Sequence, residues 1–112
     1  MASPLPIEVD CATVQQKLAD KADFKFIDCR EASEYATCQI AGAELWPMSG
    51  LAARLAELEP HRDREVIVHC HHGGRSLRVA NWLRQNGFPN ARSMAGGIDQ
   101  WSADIDPTVP RY

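Results

Sequence analysis

No block of basic residues occurs in this 112-residue chain, and its formal net charge is −3. A nucleic-acid or anionic-membrane surface therefore has no global electrostatic support. No apolar run reaches the roughly 20 residues that span a bilayer. The opening stretch, MASPLPIEVD, lacks a basic segment followed by an apolar core, so no secretory signal is read and the expected compartment is the cytoplasm. There is no internal repeat and no low-complexity segment. None of the four cysteines, Cys11, Cys29, Cys38 and Cys70, is spaced as C-x-x-C, which excludes a zinc ribbon and a thioredoxin-type redox pair. The chain is not a small turn-rich secreted scaffold either, so reduced thiols are expected. A hydrophobic content of 45% with 24% charged residues is that of an ordinary globular domain. The length fits one domain over residues 1–112, with its core at about 7–105 and an extended tail at 106–112.

What is present concentrates in VIVHCHHGGRS, Val66 to Ser76. A β-branched, apolar run ends in one cysteine, followed by two histidines, two glycines and an arginine. Residues 65–69, EVIVH, read as a strand buried on both faces, which belongs at the centre of a parallel sheet. Gly73 and Gly74 free the backbone to curl, including through positive φ. Such a loop turns its N–H groups inward as an anion nest, and a helix starting near Arg75 or Ser76 adds its positive end. These effects, with the Arg75 charge, favour thiolate over thiol at Cys70. Between Val66 and Ile98 there is no Asp or Glu, so an acidic chain keeps the segment around its best nucleophile free of negative charge. Arg78, Arg84 and Arg92, in the same stretch, read as solvated residues.

Around this strand the chain alternates. Strands are expected at Ile7 to Val9, Phe24 to Asp28, Gly42 to Trp46 and Ala91 to Met94. Helices are expected from about Cys11 to Asp20 with Asp10 as cap, briefly after Asp28, through SGLAARLAELEP until Pro60, from Ser76 to Asn86 with Gly87 beyond it, and at GGIDQWS. Alternation of this kind predicts α/β architecture with a parallel sheet. Ligands of open α/β sheets bind beyond the carboxyl ends of the strands, which points to Asp28–Arg30 and Cys70–Arg75.

Two chemistries use a cysteine loop of this design. Cysteine phosphatases carry H-C-x5-R around a phosphate, and His69 precedes Cys70 here. Yet Cys70 to Arg75 is C-x4-R, one residue shorter, with a mouth better matched to a sulfur atom. CHHGGR resembles the active-site loop of the rhodanese family. FIDCREASEY resembles that family's D-x-R-E motif, and GGIDQW its closing G-G-x-x-x-W motif, all three in order across roughly Ile7 to Ile105. The resemblance implies a single rhodanese-like domain, a five-stranded, mostly parallel sheet flanked by helices on both faces. It implies a sulfurtransferase in which Cys70 becomes a persulfide and His71, His72, Gly73, Gly74, Arg75 and Ser76 form the loop around it. The donor would be thiosulfate or another persulfide, and the acceptor cyanide or a thiol, either a small one or a thioredoxin-like protein. No cofactor, metal, nucleic acid or membrane is implied. Where the family often shows G-H-I-P-G-A, this chain has CQIAGA.

Asp28 and Arg30 are expected to brace the loop through charge-assisted hydrogen bonds. His69 reads as a structural residue at the strand end. Gly96 and Gly97 are expected to let backbone approach the loop closely. Trp82 and Trp101 read as packing aromatics, and Trp46 as partly exposed near the site mouth. Cys11 reads as a helix-start residue, and Cys29 and Cys38 as small apolar fillers; proximity to Cys70 would make Cys29 a resolving thiol. Two other functions fit the same residues: a non-catalytic or partner-dedicated sulfur-relay module, and a cysteine phosphatase or arsenate reductase.

Overall fold

Val66, Ile67 and Val68 are fully buried because the strand they form, Glu65–His69 (β4), runs down the middle of the sheet. The computed structural model describes residues 5–112. In chain order its elements are Glu8–Val9 (β1), Cys11–Ala19 (α1), Phe24–Asp28 (β2), Ala32–Thr37 (α2), Glu44–Leu45 (β3), β4, Gly74–Gln85 (α3), Ala91–Met94 (β5) and Gly97–Asp104 (α4), with 3-10 turns between β3 and β4. The five strands lie in the order β1-β5-β4-β2-β3, and every pairing is parallel.

Side chains alternate across the central strands and divide the core in two. Ile27, Cys29, Val66, Val68, Cys70 and Ala91 face one side, where Val79, Ala80 and Leu83 of α3 and Leu51 and Leu58 cover them. Phe26, Ile67 and Met94 face the other, covered by Val14 of α1 and Ile98 and Trp101 of α4. Helices thus cover both faces, as a sheet of buried parallel strands requires.

Three local expectations change. The segment read as an α-helix ending at Pro60 is a 3-10 helix over Ala52–His61 with Pro60 inside it. Proline has no N–H for the carbonyl four residues back and its ring crowds that carbonyl, so the α ladder cannot run through it. The helix after the loop begins at Gly74 rather than Ser76, because Gly73, at φ 106°, already turns the chain into it. Trp46 is buried, with Arg54 stacked on its ring at 3.8 Å and its indole N–H donated to Glu44 at 3.0 Å. Of the tail, Val109 is buried and its carbonyl accepts from Ser102 Oγ at 2.5 Å, so that stretch is packed.

Candidate active site

Strand β4 ends at His69, and Cys70 follows at the carboxyl edge of the sheet with only 1% of its surface exposed. Gly73 N–H donates to Cys70 Sγ at 3.1 Å, and Ser76 N–H donates to it at 3.3 Å. Ser76 stands in the first turn of α3, whose N–H groups have no partners within the helix, so the sulfur receives a donor that the helix leaves free. Ser76 Oγ adds a contact at 3.4 Å and is itself 2.7 Å from Ser93 Oγ, which rises from β5 on the same face. Cys29, at the end of β2, donates its N–H to His69 O and joins the same buried cluster as Cys70. Donation from Cys29, then from the Ser76 hydroxyl and the Ser76 and Gly73 amides, holds Cys70 well below an ordinary thiol despite its burial. Cys29 moves the other way: beside the Cys70 charge, and buried, it keeps its proton. The arrangement thus favours the thiolate at Cys70, cradled by neutral donors, and the thiol at Cys29.

The loop is fixed from outside by α4. Ile98 N–H donates to Cys70 O at 2.9 Å, and Asp99 N–H donates to His71 O at 3.0 Å. Gly97 makes this approach possible: at φ 60°, a Cβ there would stand 2.4 Å from His71 O and 2.5 Å from Cys70 O. Gly97 fulfils the role expected of the glycine pair. Gly96, at φ 83°, starts the helix, and a Cβ there would meet its own Gln100.

Cys70, His71, His72, Gly74, Arg75 and Arg78 line an open cavity of about 460 Å³. Arg75 does not stand free in it: its guanidinium makes a two-pronged pair with Glu34 of α2, at 2.7 and 2.8 Å. That pair holds the Glu34 carboxyl far below its ordinary range. Arg78, read from sequence as a solvated helix residue, is exposed at the cavity wall one turn beyond Arg75; that three-residue spacing was the available signal. His71 is sandwiched between the rings of Tyr112 and His72, each at 3.8 Å. His72 is largely exposed, with Nε2 4.0 Å from Asp99. His71, His72 and Asp99 bring one ligand atom each within 4.8 Å of one another. Arg111 already takes both Asp99 oxygens, and stacked imidazoles aim their ring nitrogens alongside each other rather than at a common point.

Asp28 and Arg30 are fully buried and paired at 2.7 Å. They make no hydrogen bond to residues 70–76 among the described residues. Their bracing is indirect: Arg30 donates to Glu34 O at 3.2 Å, Cys38 O at 2.7 Å and Tyr112 Oη at 3.0 Å, and Tyr112 Oη donates to Glu34, the partner of Arg75. His69 is structural as read. It is fully buried, and burial pushes its pKa down, so its ring is neutral beside Asp28. Sequence reasoning missed Glu34, Ser93 and Tyr112, which reach the site only through the fold.

The family model for the rhodanese-like domain matches residues 11–104. The chain belongs to the rhodanese-like family. It is 33% identical over 102 residues to a sulfurtransferase of Allochromatium vinosum, covering 91% of this chain and 94% of that one. Against thiosulfate sulfurtransferase GlpE of Pseudoalteromonas translucida it is 33% identical, covering 85% and 89%. It spans only 30% of the Rhodanese-like/PpiC domain-containing protein 12, chloroplastic, of Arabidopsis thaliana, at 34% identity over 79% of this chain. Among solved structures, human single-domain sulfurtransferase TSTD1 superposes with a TM-score of 0.78 at 26% identity, covering 89% and 98%. No helix among the described residues is long and apolar enough to cross a membrane.

Proposed function

We propose that this domain moves a sulfane sulfur from thiosulfate or a persulfide donor to a thiol or cyanide, through a persulfide on Cys70. The observation that carries the reading is the Cys70 sulfur, which accepts from the Gly73 and Ser76 amides beside an open cavity that Cys70 helps to line. In the first step Cys70 Sγ⁻ attacks the outer sulfur of thiosulfate. The S–S bond of the donor breaks, its electron pair leaves with sulfite, and Cys70–S–S⁻ remains. In the second step cyanide or an acceptor thiolate attacks that outer sulfur, and Cys70 regains its thiolate. The inward N–H groups face the negative charge at every stage, whether on thiolate, donor or persulfide. Arg78, with Arg75 behind it, supplies the positive field that draws an anionic donor.

The acceptor in this reading is a small thiol or a thioredoxin-like protein. Four free cysteines suit a reducing cytoplasm. Intact mass after incubation with thiosulfate tests the assignment. The expected result is a gain of one sulfur, absent in Cys70→Ala and reversed by cyanide. No gain with either thiosulfate or a persulfide donor overturns it.

A further inference from the structure

Cys29 is a buried nucleophile that the transfer cycle leaves idle. Its N–H donates to His69 O at 3.0 Å, which is the bond a parallel ladder makes to the residue preceding the one opposite. Asp28 already stands opposite His69, so the next facing pair is Cys29 and Cys70. Neighbouring strands lie about 4.7–4.9 Å apart, within the Cα separation of about 4.4–6.8 Å that a disulfide spans. Both side chains point to the same face of the sheet and join the same buried cluster. Each bears on the other's charge: the Cys29 thiol is pushed up beside Cys70, while Cys70 is held low.

We propose that Cys29 resolves the sulfur-loaded Cys70, closing a Cys29–Cys70 disulfide and releasing the donor's sulfur as hydrosulfide. This rests on the persulfide reading of Cys70. The Cys29 sulfur attacks Cys70 Sγ, and the bond from Sγ to the outer sulfur breaks. The outer sulfur leaves with the electron pair and takes the Cys29 proton: Cys70–S–S⁻ plus HS–Cys29 gives Cys70–S–S–Cys29 plus HS⁻. The two cysteine sulfurs are oxidised and the sulfane sulfur is reduced, so no outside oxidant enters. The domain then has two fates for a bound sulfur. An acceptor takes it, or Cys29 expels it and leaves the site closed until two equivalents of a thiol reductant reopen it.

The test loads the intact protein with thiosulfate, removes excess donor, and follows mass and sulfide with no acceptor present. The expected course is a gain of one sulfur that gives way to a loss of two hydrogens, with one hydrosulfide per chain. Trypsin, cutting after Lys25, Arg30, Arg64 and Arg75, should then yield residues 26–30 linked to residues 65–75. A dithiol should remove the link. In Cys29→Ser, and in Cys29→Ala as a second variant, the added sulfur should persist. The proposal is overturned if the wild-type protein keeps its sulfur as long as these variants do, or loses it without the linked peptides. If neither the wild-type protein nor the variants gain sulfur from thiosulfate or, loaded in its place, from a persulfide donor, the persulfide reading itself fails and this inference falls with it. The linked peptides come from the unmodified chain, so the test stands even if a Cys29 variant does not fold.

Discussion

The ends of β2 and β4 lie side by side, and each holds a buried anion, but by different means. Asp28 is matched by a full opposite charge, with Arg30 gripping both carboxylate oxygens at 2.7 to 3.2 Å. Cys70 is matched by neutral donors, the amides of Gly73 and Ser76. An ion pair locks its anion in place. A cradle of dipoles stabilises charge without occupying the direction of attack, so the sulfur can still react. One strand end therefore fixes structure, while its neighbour holds the sulfur to which the proposed function assigns the chemistry.

Cys70→Ala should remove all sulfur transfer while leaving the fold intact, since it deletes only a sulfur from a site whose loop is tied to α4. Thiosulfate:cyanide turnover together with a thermal melt checks both halves, and any remaining turnover breaks the assignment. Arg30→Met should do the reverse. It strands a buried carboxylate, which costs about 3–5 kcal/mol, read as a drop in the urea midpoint. If stability is unchanged, Arg30 is not matching a buried charge and the contrast dissolves.

Ser76→Ala tests the dipole side more finely. A hydrogen bond to a charged group is worth about 1.5–3 kcal/mol, so the Cys70 pKa should rise by about one to two units. The sign follows from what is lost: a donor to the thiolate stabilises the charged form, and removing it favours the thiol. In the wild-type protein the rate of sulfur loading should be flat across neutral pH, because the thiolate is already formed. In the variant it should begin to fall at a higher pH as the solution is acidified. The smallest effect is expected for Arg75→Ala, whose charge is already engaged by Glu34. The KM for thiosulfate should rise by about fivefold, in keeping with a partly exposed pair worth up to about 1 kcal/mol, with kcat little changed. Abolished turnover would show that Arg75 touches the reacting sulfur directly.

Local sequence carried much of this arrangement. FKFID and EVIVH are strands at the residues expected. Their apolar runs are too short for buried helices, and the Gly73–Gly74 pair after EVIVH marks the chain reversal. Gly97 was legible because a doubled glycine before a helix has few purposes other than close backbone approach. What could not be read are pairings made by the fold. Glu34 meets Arg75 across 41 positions and Tyr112 meets Glu34 across 78, and no local period links such residues. Cys29 belongs here too: its spacing from Cys70 says nothing until the strand register sets them face to face. Trp46 was misjudged because sequence shows where a strand ends but not that Arg54 folds back over the ring.

The two hydrogen bonds from α4 to the carbonyls of Cys70 and His71 bear on how this loop can change over evolutionary time. They bind the loop to α4, which lies against it without slack at Gly97. Lengthening the loop by one residue to admit a bulkier anion would shift at least one of these carbonyls off its donor. Replacing Gly97 would push α4 away and free the loop, but would also loosen the cradle around Cys70. Loop length and the glycine at the start of α4 are therefore one inherited trait. A lineage that fitted a larger group at this loop would have to change both, and each change alone passes through a loop no longer tied to α4.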